Sequence, residues 1–384
     1  MEPERIKSKI RNYLTLRYDY MNTPLIRHTN YKNWIPTIYE TTALSLEKKL
    51  LTALSYLKKY NKIGISLSSG IDSVLLLRLI RHLFPEKKII AFHYLGKPYE
   101  LEDAAIYAKA WANEFVTIRN YSLFEKLQWM VQATKEPTWD AFDYLIPLAA
   151  HERGCDCLVS GWGADELFGG YTFRYTKFMP IDNNPISKFN AYMNVHNRDW
   201  VDDQEHLFGP EIKFEWAMIK DQILHYFANP LGPLNQIFMA DFNGKLVHNF
   251  LYKSYSFGQM YQIDMLVPYL DANIMEYAMH LEPELKVAGE IGQIPLRQIA
   301  ARYDVAVDPK KKGMGHDVVK DWNGHDHDEA EEDLTNPKNE IFTRGYISFD
   351  WVNRHCSGKD RYDVRYVNKF MHLLALEEWL RRYG

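Results

Sequence analysis

A strand-like run, Ile63-Gly64-Ile65-Ser66-Leu67, passes through Ser68-Ser69-Gly70-Ile71-Asp72-Ser73 straight into a helical pattern from Val74 to Leu83. A buried strand that feeds a helix is half of a strand–helix–strand unit, and such units build parallel sheets. The pattern recurs along the first half of the chain. Ile89 to His93 reads as a second strand, Leu101 to Ala112 as a helix, and Phe115 to Ile118 as a third strand. Cys157-Leu158-Val159 is another, ending in Ser160-Gly161. A helix over Leu44 to Tyr60 precedes them, with Leu46, Leu50, Leu51, Leu54 and Leu57 at three-to-four spacing. The expected fold class is α/β, a parallel sheet with helices on both faces.

Past about residue 172 the two-residue alternation fades. Aromatic, amphipathic stretches at Asn249 to Met265, Asn273 to Leu281 and Lys369 to Arg382 predict a mostly helical remainder. The chain thus divides into an arm or short packed helices over 1–40 without a strong period, an α/β core over 41–175, and a helical part over 176–384. The acidic run from His325 to Asp333 reads as a solvated loop. His316, His325 and His327 could make a metal site there, but their spacing fits no tight motif.

Composition narrows the function classes. Of 384 residues 46% are hydrophobic and 25% charged, which suits a folded chain. The net charge of −4 leaves no footprint for bulk nucleic-acid or membrane-surface binding. No run approaches the roughly 18–20 apolar residues of a membrane span, and the start, MEPERIKSKIRNYL, lacks a secretory core. Three cysteines, Cys155, Cys157 and Cys356, cannot make a disulfide framework, so a cytoplasmic location is expected.

The turn at 68–73 carries chemistry. A strand that ends in small residues and enters a helix points backbone N–H groups at one spot, where the helix adds partial positive charge. Ser68, Ser69 and Ser73 can donate hydroxyl hydrogen bonds, and Gly70 lets the backbone approach an anion. Asp72 would repel phosphate unless a cation sat between them, which points to Mg²⁺. No Lys follows the glycine, so the loop is not of the Walker type. A second turn, Ser160-Gly161-Trp162-Gly163-Ala164-Asp165-Glu166, also follows a buried strand. In a parallel sheet both would emerge at the carboxyl ends of strands, where ligands bind. Asp72 and Asp165 could then share Mg²⁺ over a triphosphate, with Glu166 assisting through water.

Ser68-Ser69-Gly70-Ile71-Asp72-Ser73 resembles the SGGxDS loop of the ATP pyrophosphatases, with Ser69 where that family usually has Gly. The stretch from Ser160 to Tyr171 resembles SGEGADELFGGY of the asparagine synthetases. Val267-Pro268-Tyr269-Leu270-Asp271 is similar to their VPFLD segment, and Leu296-Arg297 to their K-x-x-L-R helix, with Gln293 at the lysine. Pro309 to Gly315 is similar to their PKKGFG loop. The resemblance covers roughly residues 40 to 320 and implies the synthetase domain of a family that includes β-lactam synthetases and lasso-peptide cyclases. It implies ATP and Mg²⁺ as cofactors and attack of a substrate carboxylate on the α-phosphorus of ATP. Pyrophosphate leaves, and ammonia or an amine takes the acyl group. It implies Lys312 as the catalytic lysine, with Lys310 and Lys311 as alternatives of register. Leu67, Phe92 and His93 are implied as walls for the adenine, and Ser160, Gly161, Trp162 and Gly163 as nucleotide contacts.

Two departures shape the expectation. Relatives that hydrolyse glutamine carry an amino-terminal Cys nucleophile, whereas position 2 here is Glu2 and no Cys precedes Cys155. The amine is therefore expected to come free, from a separate glutaminase, or from the substrate. Trp162 stands where the family has the Glu proposed as base, and indole offers no basic site at neutral pH. Glu136, Asp140, Asp143 and Tyr171 are candidate replacements. Two other functions compete with the ligase. An RNA- or nucleotide-modifying enzyme of the same superfamily would use a cysteine pair, but Cys155-x-Cys157 entering a strand reads as core. A non-catalytic ATP-binding subunit would have no need of clustered carboxylates.

Overall fold

The computed structural model describes residues 3–40, 43–95, 98–119, 122, 125–139, 141–308 and 317–384, with only the backbone at 98–100 and 141–143. The candidate residues Lys310, Lys311, Lys312, His316 and Asp140, and the side chain of Asp143, lie outside the described residues.

Five parallel strands form one sheet. They are β1 (Lys62–Ser66), β2 (Lys88–Tyr94), β3 (Glu114–Ile118), β4 (Cys157–Val159) and β5 (Asp264–Leu266), in the order β3-β2-β1-β4-β5. The alternation within the strands separates two apolar faces. Ile63, Ile65, Ile89, Ala91, Cys157 and Val159 join one core cluster; Ile90, Phe92, Tyr94, Leu158 and Met265 join another. With both faces buried, the strands read as continuous apolar runs. The chain moves outward from β1 to β2 and β3, then crosses back to place β4 and β5 on the other side of β1. Such a reversal opens a crevice beyond the carboxyl ends of the two central strands. Here those strands are β1 and β4, paired in register from Ile63↔Cys157 to Ile65↔Val159.

The helices are α1 (Pro3–Leu16), α2 (Ala43–Leu54), α3 (Ile71–Leu83), α4 (Pro98–Trp111), α5 (Leu127–Thr134), α6 (Ala141–Glu152) and α7 (Ala164–Phe168), followed by the helical second half. The aperiodic stretch at the start holds a packed helix, α1, whose Ile6, Ile10 and Leu14 are buried. Its stripe is broken because Lys9, Asn12 and Thr15 are buried too: Lys9 pairs with Glu136, and Asn12 Nδ2 donates to Asp19 (3.0 Å). The acidic segment is a helix from His327 to Leu334 rather than a loop. His327 is buried there, bonded to Trp322 O (3.1 Å) and facing Glu331 (2.9 Å), while the exposed His325 pairs with Asp326. Among the described residues no metal-binding group of His, Cys, Asp or Glu forms. Finally, the stretch read as helical through Met265 ends in β5, so the second half of the chain supplies the sheet's fifth strand. No helix among the described residues is long and apolar enough to cross a membrane.

Candidate active site

The turn after β1 is organised by its own hydroxyls. Leu67 N donates to Phe92 O (2.8 Å), extending the strand pairing by one residue. Ser73, on the first turn of α3, lies 3.0 Å from Ser68 Oγ and accepts from Ser68 N (3.0 Å), while Gly70 N donates to Ser68 Oγ (3.1 Å). Gly70 caps α3 in an extended conformation, and Ser69 keeps a negative φ. Serine is therefore accommodated at the family's glycine without backbone strain.

The turn after β4 reaches the first one. A methyl group at Gly161 would lie 3.3 Å from Asp72 Cβ and 3.5 Å from Asp72 Oδ2. Gly163, at φ 89°, caps α7 in the left-handed region, and a side chain there would strike Leu270 Cδ2 at 2.5 Å. Asp165 opens α7, and Oδ1 accepts from Gln293 Nε2 (2.9 Å). A 3-10 turn, Pro268–Leu270, braces both loops: Tyr269 OH donates to Asp72 O (2.9 Å), and Leu270 packs on Gly163. Asp72 and Asp165 together raise the pKa of the buried Tyr269, after burial itself. The two predicted carboxylates thus act on one group at the switch point of the sheet.

Other predicted residues fall elsewhere. The side chains of Leu67 and Phe92 are buried in the clusters on opposite faces of the sheet. His93, wholly buried, donates from Nδ1 to Leu67 O (2.8 Å), and burial lowers its pKa. Ser160 continues β4, its N donating to Leu266 O (2.9 Å). Trp162 stacks on Phe250 (centroids 4.6 Å apart, planes at 12°) and donates to Ser254 Oγ (3.0 Å). Of the described replacement bases, Glu136 is engaged by Lys9, and Tyr171 OH donates to Glu166 Oε1 (2.9 Å).

Glu166 is only 1% exposed. Burial, with Asp165 beside it, pushes its carboxyl up to about 8. Burial thus favours the acid form of this side chain. The folded chain binds this proton more tightly than the unfolded one. Its stabilising effect is complete below the ordinary pKa of 4.5 and is lost as pH rises towards about 8. The loss is at most about 1.4 kcal/mol per pH unit. Glu166→Gln should flatten the stability profile across that interval in thermal melts; an unchanged slope would contradict the protonated assignment.

The sequence marked Tyr269, Gln293 and Arg297 as family-like positions but gave no sign of their bracing role. Gln293 occupies the left-handed region (φ 55°, ψ 35°), and its backbone N donates to Phe168 O (3.0 Å), holding its amide against Asp165. A non-glycine residue in that region is strained and is retained where its surroundings fix it. Arg297 donates to Gly292 O (2.9 Å) and Val307 O (3.2 Å), anchoring the backbone just before 309–316.

An open parallel sheet with two acid-bearing turns at its switch point makes this an α/β protein of the doubly wound kind. This chain belongs to the asparagine synthase family, whose profile matches residues 46–381. It is 22% identical over 337 residues to the glutamine-hydrolyzing asparagine synthetase 1 of Bacillus subtilis (strain 168), covering 77% of this chain and 53% of that one. The chain spans about half the length of that curated relative. Similar solved structures include the NH3-dependent NAD synthetase of Campylobacter jejuni (19% identity, 34% of this chain and 62% of that one, TM-score 0.24). The NMN synthetase of Francisella tularensis is similar at 15% identity, over 54% of this chain and 94% of that one (TM-score 0.28).

Proposed function

We propose that this chain is an ATP- and Mg²⁺-dependent ligase that adenylates a substrate carboxylate, releases pyrophosphate and passes the acyl group to ammonia or an amine. The observation that carries the reading is the meeting of the Asp72 and Gly161 turns at the β1–β4 switch point. Hard carboxylate oxygens on two facing loops suit Mg²⁺, and Asp72 and Asp165 would hold it. The bound ion would neutralise charge on the phosphates. The Ser68–Ser73 turn and the start of α3 bind and orient the pyrophosphate part of ATP through hydroxyl and N–H donors. Gln293 fixes Asp165, and Tyr269 fixes the backbone of Asp72. Lys312, assigned by the family likeness, stabilises the charge that develops during transfer. Trp162 walls the acceptor side in place of a base. Three buried free thiols support a cytoplasmic setting.

The nucleotide-thiolating alternative finds no support in the cysteines: burial raises both thiols, Cys155 to about 11 and Cys157 further. A raised thiol carries little thiolate at neutral pH. The test is incubation with ATP, Mg²⁺, ammonium and a metabolite extract, followed by mass spectrometry. AMP and pyrophosphate should appear in equal amounts with an amide product. ADP and phosphate would overturn the adenylation chemistry, and no pyrophosphate from any carboxylate would indicate a non-catalytic subunit.

A further inference from the structure

Lys286 is wholly buried, at 0% exposure, and its Nζ has no hydrogen-bond partner. It follows the 3-10 turn Pro283–Leu285. Two rings enclose the amine. Nζ lies 5.6 Å from the centre of Trp34, in the 3-10 turn Tyr31–Trp34, and 5.1 Å from that of Phe238, in the helix Pro233–Asp241. Ring faces offset only part of the cost of burying an ammonium that makes no hydrogen bond. Burial accordingly pulls its pKa from 10.5 down to about 7. Glu282 and Glu284, on its own turn, oppose that shift without cancelling it. On the other two elements, Lys32 is exposed and Asp241 is held by Arg174 and Tyr192.

The adenylation chemistry makes no use of this amine, yet it roots a hairpin that reaches the site. Lys286 O accepts from Ile294 N (3.1 Å). Ala288 and Ile291 exchange backbone hydrogen bonds (2.9 and 3.0 Å) around Gly289, which has φ 59°. The closed hairpin, 286–294, presses on the turn after α7. A methyl group at Gly169 would lie 2.3 Å from Val287 Cγ2, and one at Gly292 would lie 2.0 Å from Gly169 O. Gln293, near the hairpin's end, bonds Phe168 O through its backbone and Asp165 through its amide. The seat of Lys286 and the clamp on Asp165 therefore belong to one tightly packed unit.

We infer that Lys286 is a positioning residue: uncharged, it seats the 286–294 hairpin against α7, and taking up a proton unseats the hairpin and slackens the hold of Gln293 on Asp165. The closed hairpin binds that proton less tightly than an opened one. Opening therefore becomes easier as pH falls from 10.5 towards about 7, and changes little below. Glu166 acts with the opposite sign, since its burial penalty grows as pH rises.

The test is amide hydrogen exchange of the full chain, read by mass spectrometry at about pH 6 and about pH 9 and corrected for intrinsic rates. Protection of 286–294 should be about tenfold or more lower at the acid value, a larger fall than any in β1 and β2. Lys286→Met keeps the apolar stem and should protect the hairpin alike at both values. Lys286→Arg carries a permanent charge and should leave it loose at both. Equal protection at the two values in the wild-type chain would overturn the proposal, and that arm depends on no variant folding. A pH response that survives in Lys286→Met would overturn it too. The link to Asp165 rests on the ligase reading and has its own measure. From about pH 9 to about pH 7, the Mg²⁺ needed for half-maximal ATP–pyrophosphate exchange should rise about fivefold more in the wild type than in Lys286→Met. An equal rise would detach Lys286 from Asp165, whereas no exchange at all would sink the ligase reading and leave the hairpin result to decide the rest.

Discussion

Asp72→Asn and Asp165→Asn are each expected to lower ATP–pyrophosphate exchange by about 10²–10³-fold or more. The substitution removes a charge and almost no volume, so it separates metal binding from packing. Two hydrogen bonds that brace these residues also survive it. Tyr269 OH donates to the main-chain carbonyl of Asp72, which is untouched, and an asparagine oxygen at 165 can still accept from Gln293. Melting temperatures should therefore stay near the wild-type value while exchange collapses, because an amide is a far weaker Mg²⁺ ligand than a carboxylate. Near-normal exchange in either variant would remove that residue from the metal site.

The second large effect is expected from a residue that touches no substrate. A methyl group at Gly170 would lie 1.8 Å from Asp165 Oδ1, 2.6 Å from Cγ and 3.1 Å from Cα. Rotating the carboxylate away relieves the first two contacts but not the third, which involves the backbone. Gly170→Ala should thus push Asp165 and the start of α7 out of position. Exchange should fall by about 10²-fold, the cost of misplacing a catalytic group by an ångström. Overpacking should cost about 1–3 kcal/mol of stability, visible as a lower denaturation midpoint. The Mg²⁺ concentration for half-maximal exchange should rise. Full exchange at the wild-type Mg²⁺ requirement would show that Asp165 need not sit where it does.

Much of this architecture was legible in the sequence where function and folding left the same mark. The Ser/Gly turn with Asp72 and the glycine turn with Asp165 each follow a short apolar strand, and those strands are neighbours in the sheet. Features built by tertiary contact were not legible. β5 has three residues, too few for a periodic signal, and is a strand because β4 lies beside it. Helix α1 buries Lys9, Asn12 and Thr15 along with its apolar residues, so ion pairs within the core erase the stripe that marks a helix. The Asp326-capped segment carries acids at six of the nine positions from 325 to 333, which read as a solvated loop. Ala330 and Leu334 pack inward and make it a helix. In the site, the sequence did not show that helical geometry turns Glu166 into the interior, where it meets Tyr171. Leu67 and Phe92 were assigned by position along the strands, and their burial follows from the sheet being covered on both sides.

The central claim is that the Asp72 and Asp165 turns hold one magnesium–nucleotide complex together. A double-mutant cycle on MgATP affinity, using Asp72→Asn, Asp165→Asn and the double variant, tests it most directly. Two ligands of a single ion act as a unit, so the double variant should bind MgATP about as weakly as the worse single variant, with a coupling of about 0.5–3 kcal/mol. Losses that simply add would mean that the two carboxylates serve separate sites, and would contradict the account.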